Sequence, residues 1–235
     1  MTTMMFASAT QVTFPVLPAL LILPAAGAVL VSVLPRRRTE MIKQVAVLVS
    51  VATAGITLWL VIAFETGPDV AAFQFMAHQP WIGDLGIAWT FGVDGISLFL
   101  VALTGLLFPI ALLAVDPGHD ERSYFGWMLL LEAGAMGVFC VLDLVTFFLC
   151  FEVVLVPMYF LIGRWGHANR AYAATKFFLF TMAGSALMLV GILAVGFLHA
   201  DATGGPVTFD LVAIAESQSL ATGTARWLFA TFALA

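Results

Sequence analysis

The sequence predicts an all-α fold: a polytopic membrane helix bundle with six complete transmembrane helices plus a truncated seventh. Three observations predict it. Of the 235 residues, 62% are hydrophobic, against roughly 45–50% in an ordinary soluble domain. Only 10% are charged, less than half the usual share of about 25%. The apolar residues also gather into runs of about 20, the length a helix needs to cross the hydrocarbon core. A water-soluble chain of this size would need far more polar surface than 14 acidic and nine basic side chains supply. The net charge of −5 offers no basic face for a polyanion. A soluble globule, a disordered chain and a nucleic-acid binder are excluded. The surroundings are a lipid bilayer.

The runs fall at about 15–34, 44–64, 95–115, 124–142, 145–163 and 172–198, and a further run begins near Trp227 and is cut off at Ala235. Backbone polar groups find no water in lipid, so each run is expected to be an α-helix. The alternation of a membrane β-barrel is absent. The N-terminal stretch MTTMMFASATQV carries no basic residue before the first run. The first helix is therefore expected to stay as an anchor rather than to be cleaved as a secretory signal. Residues 71–92 mix aromatics with the turn formers Pro80, Gly83 and Gly86, which predicts a short hairpin on the membrane face. The stretch from Phe209 to Ser219 reads as a surface amphipathic helix, with Gly204, Gly205 and Gly223 leaving flexible ends.

Orientation follows from the bases. Arg36, Arg37, Arg38 and Lys43 follow the first helix, Arg122 follows the third, and Arg164 and Arg170 follow the fifth. The segments 65–92 and 199–225 and the turn at Asp143 carry no Lys or Arg. Seven of nine bases thus share one side, expected to be cytoplasmic, with the N-terminus outside. Arg226 falls on the other side and Lys176 within a helix. Cys140 and Cys150 lack metal-ligand spacing and sit in apolar helices, where packing is the expected role rather than a disulfide. No internal repeat, low-complexity stretch or phosphate-cradling glycine loop is present, so a nucleotide-hydrolysing or dinucleotide enzyme has no support.

An ionisable group at membrane depth is costly and marks function. Glu152 is the strongest candidate, with about seven apolar residues on each side and no basic neighbour within a helical turn. Hydrocarbon disfavours the charged carboxylate by about 4 kcal/mol for each three units of pKa displacement. A carboxyl there exchanges its proton as a cation approaches or withdraws, which is the chemistry of a proton relay. Pro157, five residues on, removes a backbone hydrogen bond and can kink the helix or admit water. Glu132 lies within the fourth helix, where functional and packing roles weigh evenly. Lys176 lies about a turn inside the sixth helix and could snorkel to the interface. Asp143 is expected to cap the fifth helix and Asp94 the third. His78, His119, His167 and His199 fall at loops or helix ends, and a surface role is expected for each.

Three strings then coincide with a known family: FGVDGISLFLVALTGLLFPI, FFLCFEVVLVPMYFLIGRWG and YAATKFFLFTMAGSALML. Together they resemble the antiporter-like, proton-translocating membrane subunits of respiratory complex I. The detail LVPMYFLIGRWG followed by AATKFF is most similar to the chain M branch, whose mitochondrial equivalent is subunit 4. The likeness runs from about Phe91 to His199 and is weaker on both flanks. It implies an inverted-repeat antiporter-like fold of which this chain is the first part. Residues 1–90 would hold the first two transmembrane helices and the outer hairpin, and 91–235 would hold helices three to seven and start the first repeat.

The resemblance also implies a subunit that pumps protons and has no cofactor of its own, with flavin and iron–sulfur clusters on partner subunits and NADH oxidation and quinone reduction carried out there. Sister antiporter-like chains and other membrane-arm subunits would be its partners. The expected location is a bacterial cell (inner) membrane, with an organelle inner membrane less favoured. Glu152 matches the family's essential carboxylate, which pairs with a lysine in helix seven. Lys176 matches a family lysine of the cytoplasmic proton route. The family pattern gives Glu132 no support. Family members run to about twice this length, with about fourteen helices in two inverted repeats. Here the chain stops before the position of the helix-seven lysine, which is expected for an N-terminal part that could not pump alone. A multi-chain cation/proton antiporter or a membrane-bound hydrogenase subunit is the homologous alternative, and a passive membrane scaffold is the alternative of another class.

Overall fold

The computed structural model describes residues 15–67, 70–217 and 220–235. The anchor reading of the N-terminal stretch concerns residues before these and lies outside them. Six helices are long and apolar enough to cross a membrane: α1 (Val16–Val33), α2 (Thr39–Ala63), α3 (Gly95–Ala114), α4 (Glu121–Cys140), α5 (Leu144–Trp165) and α6 (Arg170–Thr203). Between α2 and α3 the strands β1 (Gln74–Ile82) and β2 (Ile87–Val93) pair as the expected hairpin. After α6 come a short α7 (Leu211–Ser217) and then α8 (Thr222–Leu234). Large apolar side chains cover the outside, among them Ile22, Leu58, Phe99 and Phe180, each more than half exposed. In water this surface would collapse, whereas in hydrocarbon it costs nothing.

Four sequence expectations are corrected. The sixth helix continues past residue 198 to Thr203. At 34 residues it is about 51 Å long, well beyond the hydrocarbon thickness. His199, expected at the surface, is consequently carried inside that helix and is only 6% exposed, with Nδ1 3.2 Å from the Ser217 hydroxyl. The amphipathic helix is a seven-residue piece starting at Leu211, because Asp210 caps it by accepting from the Val212 and Ala213 N–H groups. Residues 218 and 219 of that expected stretch lie outside the described set. The last helix starts at Thr222 instead of Trp227, so Arg226 sits within it rather than before it. His78, His119 and His167 are exposed, as expected.

Close packing divides the chain into two compact units. One comprises the described part of residues 1–77 together with 91–140 and holds α1 to α4. Here α1 packs most closely on α4, and α2 on α3. Gly27 lies against Val49, and Gly105 against the Thr57 side chain, so that small residues let the backbones approach. Towards the end that carries the basic loops, Ala28, Val31, Ile42, Ala46, Leu112, Phe125 and Leu129 form a dry cluster. Lys43 at that end donates to the Val115 carbonyl (2.9 Å) and Arg122 to the Leu34 carbonyl (3.4 Å). Both cations thus satisfy carbonyls just past a helix C-terminus, where positive charge is favoured.

The other unit comprises residues 78–90 and 141–235 and holds α5 to α8. Its α5 packs on α6, and α6 on α8. Ile87, Ile192 and Phe209 form its small core, with Leu144, Phe148 and Val207 against it. Gly86 adopts φ +66°, and a Cβ there would strike the Val207 carbonyl, so both conformation and space require glycine. Cys140 and Cys150 are buried, and neither forms a disulfide with a described residue.

Candidate functional site: carboxyl groups at membrane depth

Helix α5 positions Glu152, and its start is defined by Asp143. The Asp143 Oδ1 accepts from the Val145 and Thr146 N–H groups (2.9 and 3.0 Å), and Oδ2 accepts from the Ala88 N–H (3.2 Å). The cap that the sequence predicts is therefore present, and it does more than cap: at 1% exposure this carboxyl ties the helix to the hairpin. Backbone bonds finish the clamp, Leu142 donating to Thr90, Leu144 to Phe209 and Leu211 to Leu142. The start of α5 is held from both sides, which sets the depth of everything along it.

Glu152 sits eight residues into α5, two after the buried Cys150 and three before the buried Leu155, with Pro157 also inside the helix. The residue is partly buried, yet its Oε1 atom is buried and has no hydrogen-bond partner. Its apolar neighbours on α5 offer it nothing. A buried carboxyl oxygen without a hydrogen-bond partner is costly to leave in place, which marks Glu152 as a candidate for function.

Lys176 stands on α6, which runs antiparallel to α5 after a short turn. Tyr159 and Phe178 join the two helices edge to face, with ring centroids 5.4 Å apart, and Ala174 packs against Gly163. The Lys176 ammonium lies over the Tyr172 ring, 5.9 Å from its centroid, on an exposed stretch of helix. Counting 1.5 Å per residue from the shared turn, Glu152 lies roughly 20 Å along α5 and Lys176 roughly 9 Å along α6. That offset of about 10 Å is too great for an ion pair. The structure thus places both residues on one helix pair without bringing them together.

Glu132, in the other unit, is fully buried. Its Oε1 accepts from the equally buried Ser50 hydroxyl at 3.0 Å, while Oε2 is buried without a partner. Sequence reasoning missed Ser50. The available signal was the polar spacing Ser50, Thr53, Thr57 on α2, which places three hydroxyls on one face of an otherwise apolar helix. Asp94 is the N-cap of α3, with a full capping box: Ser97 N–H donates to Oδ1 (2.7 Å) and Asp94 N–H donates to the Ser97 hydroxyl (2.9 Å). The Ser97 bond holds the Asp94 carboxyl below its ordinary value of 3.8. Among the described residues, no three His, Cys, Asp or Glu side chains gather as a metal site.

The sequence and the fold are shared with known membrane proteins. The family described as "NADH:quinone oxidoreductase/Mrp antiporter, TM" matches residues 141–235. An NAD(P)H-quinone oxidoreductase chain 4 of Picosynechococcus is 37% identical over 220 residues, covering 92% of this chain and 38% of that protein. The F(420)H(2) dehydrogenase subunit M of Methanosarcina mazei is 37% identical over 164 residues, covering 69% of this chain and 32% of that protein. Among solved structures, a chain of respiratory complex I from Thermus thermophilus superposes with a TM-score of 0.77 at 27% identity, over 94% of this chain and 43% of that one. A chain of an archaeal membrane-bound sulfane sulfur reductase shares the fold, with a TM-score of 0.71 at 20% identity. The chain spans about two fifths of the length of the proteins it matches or less.

Proposed function

The chain belongs to the antiporter-like membrane-subunit family of respiratory complex I, on its chain 4 (chain M) branch, and from that premise we propose that it serves proton translocation in an NADH:quinone oxidoreductase. Electrons would move on partner subunits that carry flavin and iron–sulfur clusters, with no redox step in this chain. Glu152 is the relay carboxyl and Lys176 the basic group on its cytoplasmic side. The segment 91–235 is read as the start of the first antiporter-like repeat. The single observation that carries the reading is the buried, unpartnered Oε1 of Glu152. A carboxyl with a free acceptor and no fixed counter-ion can take up a proton in one state of its surroundings and release it in another. The seven bases on one side support an N-terminus outside and those loops in the cytoplasm of a bacterial cell.

The test is Glu152→Gln in the full-length protein within its membrane complex. The amide keeps the shape and cannot carry the proton. NADH-driven proton uptake by inverted vesicles is expected to fall to a small residue while the complex assembles. Uptake at the parental rate would sink the relay and favour a passive scaffold. The family description also covers multi-chain antiporters, and purification tells these apart: flavin and iron–sulfur subunits accompany the protein on the first reading, antiporter chains alone on the second.

A further inference from the structure

The unit built from α1 to α4 contains a second buried carboxyl, and its surroundings are uneven. Glu132 stands at mid-depth on α4, and both it and Ser50 are fully buried. On the side of the basic loops the interior is filled by the apolar cluster that includes Ile42, Ala46, Phe125 and Leu129. In the other direction, toward the hairpin end of α2, the same helix face presents Thr53 and Thr57, both buried. These hydroxyls donate to the Val49 and Ala54 carbonyls, which leaves their oxygen lone pairs free to accept. Ser50, Thr53 and Thr57 span roughly 10 Å of helix, and Leu60 is the one apolar layer that follows on that face before α2 ends at Ala63.

Among the described residues of this unit, no helix carries a cation at the level of Glu132. Helices α1 and α3 contain no charged residue, α2 contributes Glu40 and Lys43 in its first two turns, and α4 contributes Glu121 and Arg122 at its start. Lys43 and Arg122 are held on carbonyls at the basic end. One Glu132 oxygen accepts from Ser50 and the other is buried without a hydrogen-bond partner, which leaves the carboxyl short of the bonds a fixed negative charge would need.

We propose that Glu132 is a second proton-carrying group of this subunit, exchanging its proton along the Ser50, Thr53, Thr57 hydroxyl face toward the hairpin end and sealed from the basic end by the apolar cluster. Ser50 is its positioning residue. The proposal rests on the proton-translocating reading of the chain, and it is independent of Glu152.

Infrared difference spectra of the full-length protein in its membrane complex, recorded between resting and NADH-reduced states, test it together with proton uptake. Glu132→Gln is expected to remove one protonated-carboxyl band and to lower proton uptake per NADH oxidised. Ser50→Ala is expected to shift that band, since the hydroxyl no longer donates to Oε1. Unchanged carboxyl bands, or parental uptake in Glu132→Gln, would overturn the proposal and leave Glu132 as a neutral tie between α2 and α4. If Glu132→Gln fails to assemble, Ser50→Ala decides: a shifted band supports the proposal and an unshifted band overturns it. Normal pumping in Glu152→Gln with impaired pumping in Glu132→Gln would remove the Glu152 relay while this one stands.

Discussion

Replacing Asp143 with alanine would strand three N–H groups at once, those of Val145, Thr146 and Ala88. The cost is expected at about 1–3 kcal/mol, read as a lower unfolding midpoint of the detergent-solubilised protein. Asparagine, which still accepts at the cap, should cost less. Asp94 gives a different residue-scale signature. The Ser97 N–H bond lowers its carboxyl from 3.8, so folding is favoured by its ionised form. That contribution is complete above pH 3.8 and is lost as pH falls through the lowered value. Asp94→Asn keeps the cap and removes this acid dependence, and unfolding midpoints measured across that range check it. Midpoints with unchanged acid sensitivity in the variant would reject the assignment. Both aspartates were legible as caps in the sequence because a cap is local, decided by a side chain and the two or three residues after it.

At the scale of elements, packing is decided where small residues meet neighbours. A Cβ at Gly105 strikes the Thr57 side chain, so Gly105→Leu must push α3 from α2. A loss of about 1–3 kcal/mol is expected, visible as lowered thermal stability, and the same variant displaces Thr57, the far end of the hydroxyl face that begins at Ser50. Gly86→Ala meets two obstacles, the positive φ and the Val207 carbonyl. The expected result is faster proteolysis of the hairpin tip and the segment before α7 under native conditions, and cleavage at the parental rate would contradict the contact. The helices themselves were readable to within a few residues because their length is dictated by the bilayer and their faces by the need to satisfy every backbone group. The exceptions have reasons. Helix α6 overruns its apolar core because nothing stops it before Gly204, a left-handed cap at φ +66°. Helix α7 starts at Leu211 rather than at Phe209 because Asp210 caps it.

For the molecule as a whole, the charge pattern makes a prediction that packing does not. With the N-terminus outside, a single cysteine introduced at Arg37 in a variant lacking Cys140 and Cys150 should react with a membrane-impermeant maleimide only from the cytoplasmic face. One introduced at Asp84 should react only from the other. The reverse pattern would invert the proposed orientation and with it the direction in which the hydroxyl face of α2 leads. The two native cysteines, at 1% and 4% exposure, should stay unlabelled until the fold is lost.

By itself the sequence determined the helices, the hairpin, the two caps and the place of Glu152 within the fifth helix. Each of these follows from hydrophobic transfer or from hydrogen bonding between near neighbours. Only the tertiary structure decided that Glu132 meets Ser50 and leaves one oxygen bare, that His199 is packed away, and that Asp143 reaches Ala88. In those cases the partners lie 82, 18 and 55 residues apart along the chain. In an apolar helix every face looks alike to composition, and which polar side chain turns inward is settled by the neighbour that the fold brings against it.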